Sequence, residues 1–340
     1  MLQKGPLQAL LYKDSVSVRG YYWRAAWEMF KENPILGVGT DQYGTYFKLY
    51  REVGYVLKYG FEITSSNAHN VFLQFFATAG VITGISYLVL VFLIFWISIR
   101  RILQDRSNID PFFLGLFSAW VAFQLQSIVS IDNIALSIWG WVLGGMLLSK
   151  SARIERDIHL PKNTKSIQVL ISAAILLPVI VFVSKLYVSE TSTLRVVSIS
   201  ESGGSVQSNQ ILVNQAQSVA AQRLTDGLYK QITAEKMFIA GYTNEALVVL
   251  SDLINAYPDN PHYRSSRAVM NANLKNFKDV ILDRKNMLKT DPWNAENAFQ
   301  LALMYRNVGD FDQMQALKEF IISFVPKGEF LDKVFLGLKE

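Results

Sequence analysis

His69 stands where a polar, tyrosine-rich stretch of the chain runs into a long apolar one, and no charged residue occurs from Asn70 to Ile99. An imidazole titrates near neutral pH, so it can accept the proton of a hydroxyl group. Arg19 lies earlier in the chain, in an aromatic segment. A guanidinium keeps its charge and can bind an oxyanion through two parallel donors. The two residues together predict a site that handles an anion and a proton at a membrane surface.

Arg19 begins a helical pattern. The i+3, i+4, i+7, i+8 and i+11 positions after it hold aromatic and small residues, namely Tyr22, Trp23, Ala26, Trp27 and Phe30. This spacing predicts one face of a helix, and its aromatic content is typical of a membrane interface. Asn33-Pro34 should end the helix, because the residue before proline disfavours the helical conformation. Gly37 and Gly39 follow, and they predict a tight turn rather than a phosphate-binding loop.

Two further arginines, Arg24 and Arg51, are candidates for binding an anionic substrate. Arg24 lies about 140° round the helix from Arg19, at about 100° per residue, so both cannot face one phosphate without a bend. Arg19 itself has a structural alternative, in which its side chain extends to the lipid headgroups.

Tyr43 and Tyr46 belong to a dense run of aromatic residues and are candidates for stacking on sugar rings. The same aromatic residues can equally fill a small hydrophobic core. Asn70 either contacts the substrate or caps a helix. His69 has an alternative as well, since an imidazole at the start of a helix can simply bond to loop carbonyl groups.

The composition of the chain excludes several kinds of site. There is no cysteine, so disulfides and cysteine-based zinc sites are excluded. The three histidines are far apart in the sequence, and we expect neither a metal ion nor another cofactor. Only 18% of the 340 residues are charged, against about 25% in soluble domains. The net charge of +5 indicates membrane orientation and not a nucleic-acid partner.

Four uncharged apolar runs predict four transmembrane helices between residues 71 and 188. Runs of about 18 or more apolar residues can cross a membrane, and buried helices of a soluble protein are the alternative. The predicted spans cover residues 71–99, 111–131, 133–149 and 166–188. The predicted fold is therefore all-α, a multi-span helical membrane protein.

Basic residues near these spans are concentrated on one side, and the other side has almost none. Three arginines lie between the first and second spans, and five basic residues lie between the third and fourth, namely Lys150, Arg153, Arg156, Lys162 and Lys165. The positive-inside rule places such loops in the cytoplasm. Residues 1–70, with Arg19 and His69, are then predicted to be an extracytoplasmic loop, and the chain after residue 188 is also outside.

The C-terminal region contains a repeat of 34 residues, marked by Pro258, Pro292 and Pro326. This period resembles a tetratricopeptide repeat, and we assign residues 227–340 to such a domain. The repeat either binds a protein partner or serves as a rigid spacer. Residues 189–226 are rich in Ser, Gln and Asn and predict a flexible linker. The repeat predicts helices at about 228–240, 243–256, 260–274, 277–290, 294–307, 311–324 and 328–339.

Three ordered motifs resemble the O-antigen ligase/polymerase superfamily. They are the arginine-bearing helix from Arg19 with its Pro34-Ile35-Leu36-Gly37-Val38-Gly39 turn, the segment His69-Asn70-Val71-Phe72-Leu73-Gln74, and Gly80-Val81-Ile82-Thr83-Gly84. The resemblance covers about residues 15–150. It departs from the family at Thr78, where an acidic residue is common.

The resemblance implies a metal-independent, inverting glycosyltransferase of the bacterial inner membrane. Such an enzyme takes a glycan from an undecaprenyl-diphosphate carrier and transfers it to an extracytoplasmic lipid, glycan or protein acceptor. By motif position, Arg19 corresponds to the arginine that binds the diphosphate, and His69 to the histidine that activates the acceptor. Ligase, polymerase and protein O-glycosyltransferase activities all fit.

Family members carry further spans before this loop, so the resemblance implies that the chain corresponds to the C-terminal portion of such an enzyme. A truncated half would not be expected to catalyse transfer alone. A membrane-anchored repeat scaffold without catalytic activity is the competing function.

Overall fold

The computed structural model describes residues 14–104, 110–151, 164–201, 211, 214–216, 218–219 and 227–338. Within these ranges every regular element is a helix, as predicted. The chain divides into two compact units, and each is described by itself. The first unit contains helices α1 (Asp14–Glu32), α2 (Tyr43–Tyr50), α3 (Val53–Tyr59), α4 (Val71–Gln104), α5 (Pro111–Ser127) and α6 (Ile134–Ser151).

Helix α4 is broken near its start at Gly80, whose backbone angles are φ 77° and ψ −177°. The break leaves some backbone groups of α4 without helical hydrogen-bond partners. The turn after α1 provides partners for these groups. Val38 and Gly39 donate their amides to the carbonyls of Ala77 and Thr78 at 2.9 and 3.0 Å. The Val81 amide donates in turn to the carbonyl of Pro34 at 2.8 Å. The turn that contains Gly37 and Gly39 is therefore bound to α4 through its backbone.

After this break in the sequence, α4 packs with α5 and α6 around a core of large apolar side chains. The core consists of Ile94, Phe113, Leu116, Phe117, Trp120 and Leu147. Helix α5 begins with Pro111 after an Asp110 cap, and α6 begins beside Asn133, whose side chain accepts the Leu136 amide at 3.0 Å. The two helices are consecutive in the chain and pack on each other.

Three helices in the described residues are long and apolar enough to cross a membrane, one fewer than predicted. They are α4, α6 and the segment Val169–Ser198, with mean hydropathies of 2.4, 1.3 and 2.5. The predicted span 111–131 is shorter in the structure, because α5 has 17 residues and ends at Ser127. Tight turns replace the helical ladder there, with Ile128 donating to Leu125 and Val129 to Gln126.

The second unit begins with a single long helix, α7 (Thr164–Glu201), which corrects the predicted start of the linker. Residues 189–201 were expected in a flexible segment and are helical instead. Their hydroxyl groups bond to carbonyls one turn back, as in Thr193 to Ser189 at 3.0 Å. Val196 is fully buried and belongs to the core that also contains Met237 and Leu250. Burial of one face therefore outweighs the polar composition.

The remainder of the second unit is a series of short helices. They are α8 (Gly227–Ile239), α9 (Thr243–Ala256), α10 (Pro261–Asn273), α11 (Phe277–Thr290), α12 (Ala295–Asn307), α13 (Phe311–Phe324) and α14 (Glu329–Gly337). Alternate helices begin 34 residues apart, at 227, 261, 295 and 329, and at 243, 277 and 311. The helix bounds fall within about two residues of those that the sequence period predicts.

Candidate active site

Helix α1 presents its buried face to the rest of the first unit through Tyr22, Ala25, Ala26 and Met29. This face is turned from the predicted one, because Ala25 and Met29 are buried while Trp27 is 50% exposed. Small alanines allow α1 to pack closely on its neighbours, and the large aromatic Trp27 remains at the surface. Arg19 lies on the flank of this buried face and is itself half-buried.

The structure brings Arg19 and His69 together, although they are far apart in the sequence. Burial lowers the pKa of His69 below its usual 6.5, and the positive charge of Arg19 lowers this pKa further. The imidazole is therefore neutral at pH 7, the form that can accept a proton. The two residues that the motifs single out thus form one local site.

His69 is held in place from its backbone and from its ring. Its backbone lies in the left-handed region, with φ 52°, a conformation that non-glycine residues adopt uncommonly. On one side of it, the Ala68 amide donates to Oε1 of Gln74 at 2.8 Å. On the other side, Oδ1 of Asn70 accepts the Leu73 amide at 2.9 Å and starts α4. Asn70 therefore acts as the helix cap, one of its two predicted roles.

The imidazole ring of His69 stacks on Tyr22, with ring centroids 5.2 Å apart and planes 25° apart. Tyr22 is fixed in turn, because the hydroxyl of Tyr43 donates to its carbonyl at 2.8 Å and Phe47 packs against its edge. The stack fixes the plane of the imidazole ring. Tyr22 appeared in the sequence only as a member of a helix face, so its contact with His69 could not be read from the spacing.

Arg19 has no hydrogen-bond or ion-pair partner among the described residues. Its Nε atom is buried and has no acceptor, and the same is true of Nε1 of Trp23. A buried donor without an acceptor costs about 1–3 kcal/mol. Trp23 follows Arg19 by four residues, so the two side chains occupy adjacent turns of one helix face. This flank of α1 is therefore a place where hydrogen-bonding capacity is unused.

The two other candidate arginines are already engaged by the protein. Arg24 forms a two-pronged bond with Glu52, through Nε at 2.6 Å and Nη2 at 3.0 Å, and this partner raises the Arg24 pKa. Arg51 is buried and donates to the carbonyl of Phe61 at 2.7 Å. Both arginines therefore stabilise the loop around the site through these bonds.

The candidate tyrosines divide in the same way. Tyr43 is fully buried and stacks on Phe47, and burial raises the pKa of its hydroxyl. It belongs to the aromatic core that also contains Tyr55. Tyr46 lies nearer the surface and stacks on Tyr50, with centroids 6.5 Å apart. For Tyr43, the core-filling alternative is the arrangement that the structure shows.

The chemical capacity of the site follows from these contacts. A guanidinium without an internal partner can bind an oxyanion, and a neutral, oriented imidazole beside it can accept a proton. This pair is suited to a transfer reaction in which one group departs as an anion while a hydroxyl group is deprotonated.

Comparison with known families supports this interpretation. Residues 11–88 match the family model for O-antigen ligase. The segment with Arg19 and His69 is similar to O-antigen ligase. The match also includes the turn after α1 and the break at Gly80. Together with the apolar helices, it supports a membrane protein with a ligase-like or polymerase-like function. Searches of curated proteins and of solved structures gave no match.

Proposed function

We propose that the protein is a membrane glycosyltransferase of the O-antigen ligase type, which transfers a glycan from an undecaprenyl-diphosphate carrier to an extracytoplasmic acceptor. The observation that carries this proposal is the Arg19 guanidinium, which has no hydrogen-bond or ion-pair partner among the described residues and whose charge acts on a neutral His69. The match of the same residues to the O-antigen ligase family supports it. The acceptor is a lipid, a glycan or a protein.

In the proposed reaction, the acceptor hydroxyl attacks the anomeric carbon of the carrier-linked sugar from the face opposite the diphosphate. A bond forms from the acceptor oxygen to that carbon, and the bond to the diphosphate oxygen breaks, so the configuration inverts. His69 takes the hydroxyl proton. Arg19 binds the diphosphate as its negative charge increases, an effect typically worth a few kcal/mol of the barrier. Neither step requires a metal ion.

The proposal includes a location and an orientation. Arg100 and Arg101 lie near the end of α4, and Lys150 lies near the end of α6. With these ends in the cytoplasm of a bacterial cell, the start of α4 faces outward. Arg19 and His69 are then at the outer surface of the inner membrane, where lipid-linked glycans and their acceptors meet. The helical repeat that follows α7 is extracytoplasmic in the same orientation.

The proposal is tested by assaying glycan transfer in membranes that contain the full chain and undecaprenyl-diphosphate-linked glycan. Arg19→Ala should reduce transfer about 10²–10³-fold, since one electrostatic contact is lost. His69→Ala should reduce it about 10²–10⁴-fold. Arg24→Ala is the matched control on the same helix, because Arg24 is paired with Glu52, and it should retain most activity. Normal transfer by the first two variants would contradict the proposal.

A second candidate function, a scaffold that binds protein partners, is favoured by the second unit. Its 34-residue period resembles a tetratricopeptide array, which we propose it to be. Two depressions of about 320 and 650 Å³ lie between alternate helices. The first is lined by the exposed apolar residues Ile239 and Val269. In a cell that depends on the protein, Ile239→Asp should abolish function under the scaffold hypothesis, whereas Arg19→Ala should abolish it under the transferase hypothesis.

A further inference from the structure

The flank of α1 that carries Arg19 contains a second donor, to which the sequence motifs assign no role. This donor is the indole Nε1 of Trp23, which is buried and has no acceptor among the described residues. An indole nitrogen only donates, and it does not change its charge with pH. It therefore selects for a ligand that presents an acceptor atom.

Arg19 and Trp23 lie four residues apart in α1, so their side chains emerge from the same face on successive turns. The Nε atom of Arg19 is buried and without an acceptor as well. Both donors are covered by surrounding side chains, and a bond to an anion is stronger in such a low-dielectric environment than in water. One ligand with several acceptor oxygens would satisfy both.

We propose that Trp23 is a second binding residue for the phosphate oxygens, and that its indole and the Arg19 guanidinium together hold one diphosphate. This inference rests on the proposed function, since it assigns the diphosphate of the carrier to the same site. The site then combines a neutral donor, the Trp23 indole, with the Arg19 cation. We expect it to prefer a ligand whose oxygens reach both of these turns of α1.

Other side chains of α1 do not share this arrangement. Arg24, one position further on, is bound to Glu52 through two nitrogens. Trp27 is four residues beyond Trp23 and is 50% exposed, so its indole can bond to water. Trp27 therefore provides a matched control of the same residue type on the same helix.

The inference is tested by the indole N–H resonances of the ¹⁵N-labelled full chain in phosphatidylcholine nanodiscs. Inorganic pyrophosphate is titrated in one arm. A second arm uses nanodiscs that contain undecaprenyl diphosphate, and a third uses phosphatidylglycerol. We expect the Trp23 resonance, assigned with Trp23→Phe, to move in the first two arms and the Trp27 resonance to stay. Trp23→Phe should weaken pyrophosphate binding about tenfold, and Trp27→Phe should leave it unchanged.

The outcomes separate this inference from the proposed function. If pyrophosphate binds and Arg19→Ala abolishes the binding, but the Trp23 resonance stays fixed and Trp23→Phe binds normally, the role of Trp23 is refuted and the proposed function stands. If neither pyrophosphate nor undecaprenyl diphosphate binds, both are refuted. A response to phosphatidylglycerol alone would identify a lipid headgroup site and overturn the diphosphate assignment.

Discussion

In the second unit, the carboxylate of Asp283 is fully buried and is gripped by Arg267 through Nε at 2.8 Å and Nη2 at 2.7 Å. In the first unit, Arg19 is half-buried, and it has no ion-pair partner among the described residues. The first arrangement fixes α10 to α11 and serves the fold. The second leaves a charge available, which a protein tolerates where a ligand completes the site.

Glycines show the same contrast between the two units. Gly80 in α4 has φ 77°, and a Cβ at this position would collide with the carbonyl of Ile35. Gly241 in the repeat has φ 91° and open space around it. The first glycine permits a close approach of two backbone segments next to the site, whereas the second only ends a helix. A Cβ is therefore costly at Gly80, where it meets a neighbouring backbone, and costs less at Gly241.

Gly80→Ala should produce the largest loss of stability, and its comparison with Gly241→Ala distinguishes a glycine needed for close packing from one that only ends a helix. The backbone angles at Gly80 are essentially restricted to glycine, and the added methyl group would force the turn at Ile35 away from α4. We expect a loss of about 3 kcal/mol or more in the stability of this region. Gly241→Ala should cost only about 1 kcal/mol. Hydrogen exchange of the Val38 and Val81 amides in the full chain measures the first effect.

Protection of these two amides in Gly80→Ala equal to that in the unmodified chain would show that the docked turn does not depend on the glycine. Gly145→Ala serves as a control in a membrane-spanning helix, because nothing lies within 4 Å of its added Cβ. It should leave exchange at Val38 and Val81 unchanged.

The repeat was the part of the fold that sequence predicted best, because its period is visible in Pro258, Pro292 and Pro326. Helices α8 to α12 pack mainly on their sequence neighbours. The continuation of α7 through residues 189–201 was missed, since polar composition hides the burial of Val196. Composition reports an average, while a helix needs only one apolar face to be held in place.

The motifs singled out Arg19 and His69, and in the structure the positive charge of Arg19 acts on the His69 imidazole. Spacing along one helix could not reveal that Glu52 forms an ion pair with Arg24, or that the Tyr43 hydroxyl is buried and donates to the Tyr22 carbonyl. These contacts join separate elements, and residue type alone does not show which donors remain without an acceptor. The buried indole of Trp23 was overlooked for the same reason.

The charge of Arg19 should be visible in the titration of His69. The unmodified chain should titrate at this residue below 6.5, by NMR of its imidazole. Arg19→Gln removes a positive charge and should raise the His69 pKa, whereas Arg24→Gln, on the same helix, should leave it unchanged. A His69 that titrates identically in all three proteins would show that Arg19 does not act on it.

The same shift gives the sign of a pH effect on stability. The folded protein binds fewer protons at His69 than the unfolded chain does, because its folded pKa is lowered. The contribution of His69 is therefore fully present above pH 6.5 and is lost as the pH falls through 6.5 towards the folded pKa. Arg19→Gln should raise the folded pKa of His69 and so narrow the pH range over which this stability is lost.

The smallest expected effect concerns a residue that breaks the pattern of the repeat. The turns after α8, α10 and α12 hold Gly241, Lys275 and Gly309 at equivalent positions 34 residues apart, all with positive φ. Each turn is closed by the following amide, such as Asn276 donating to the carbonyl of Asn271 at 2.9 Å. Lys275 adopts its φ of 60° with a Cβ, which costs about 1–2 kcal/mol relative to glycine.

Lys275→Gly should therefore stabilise the repeat by about 0.5–1 kcal/mol, because relief of the left-handed strain exceeds the extra entropy of glycine in the unfolded chain. Lys278→Gly, inside α11, should lower stability by a similar amount. Hydrogen exchange of the α10 and α11 amides in the full chain reports both changes. If Lys275→Gly were destabilising, the lysine side chain would have to contribute more than the strain it causes, and the turn would be a functional feature and not only a helix end.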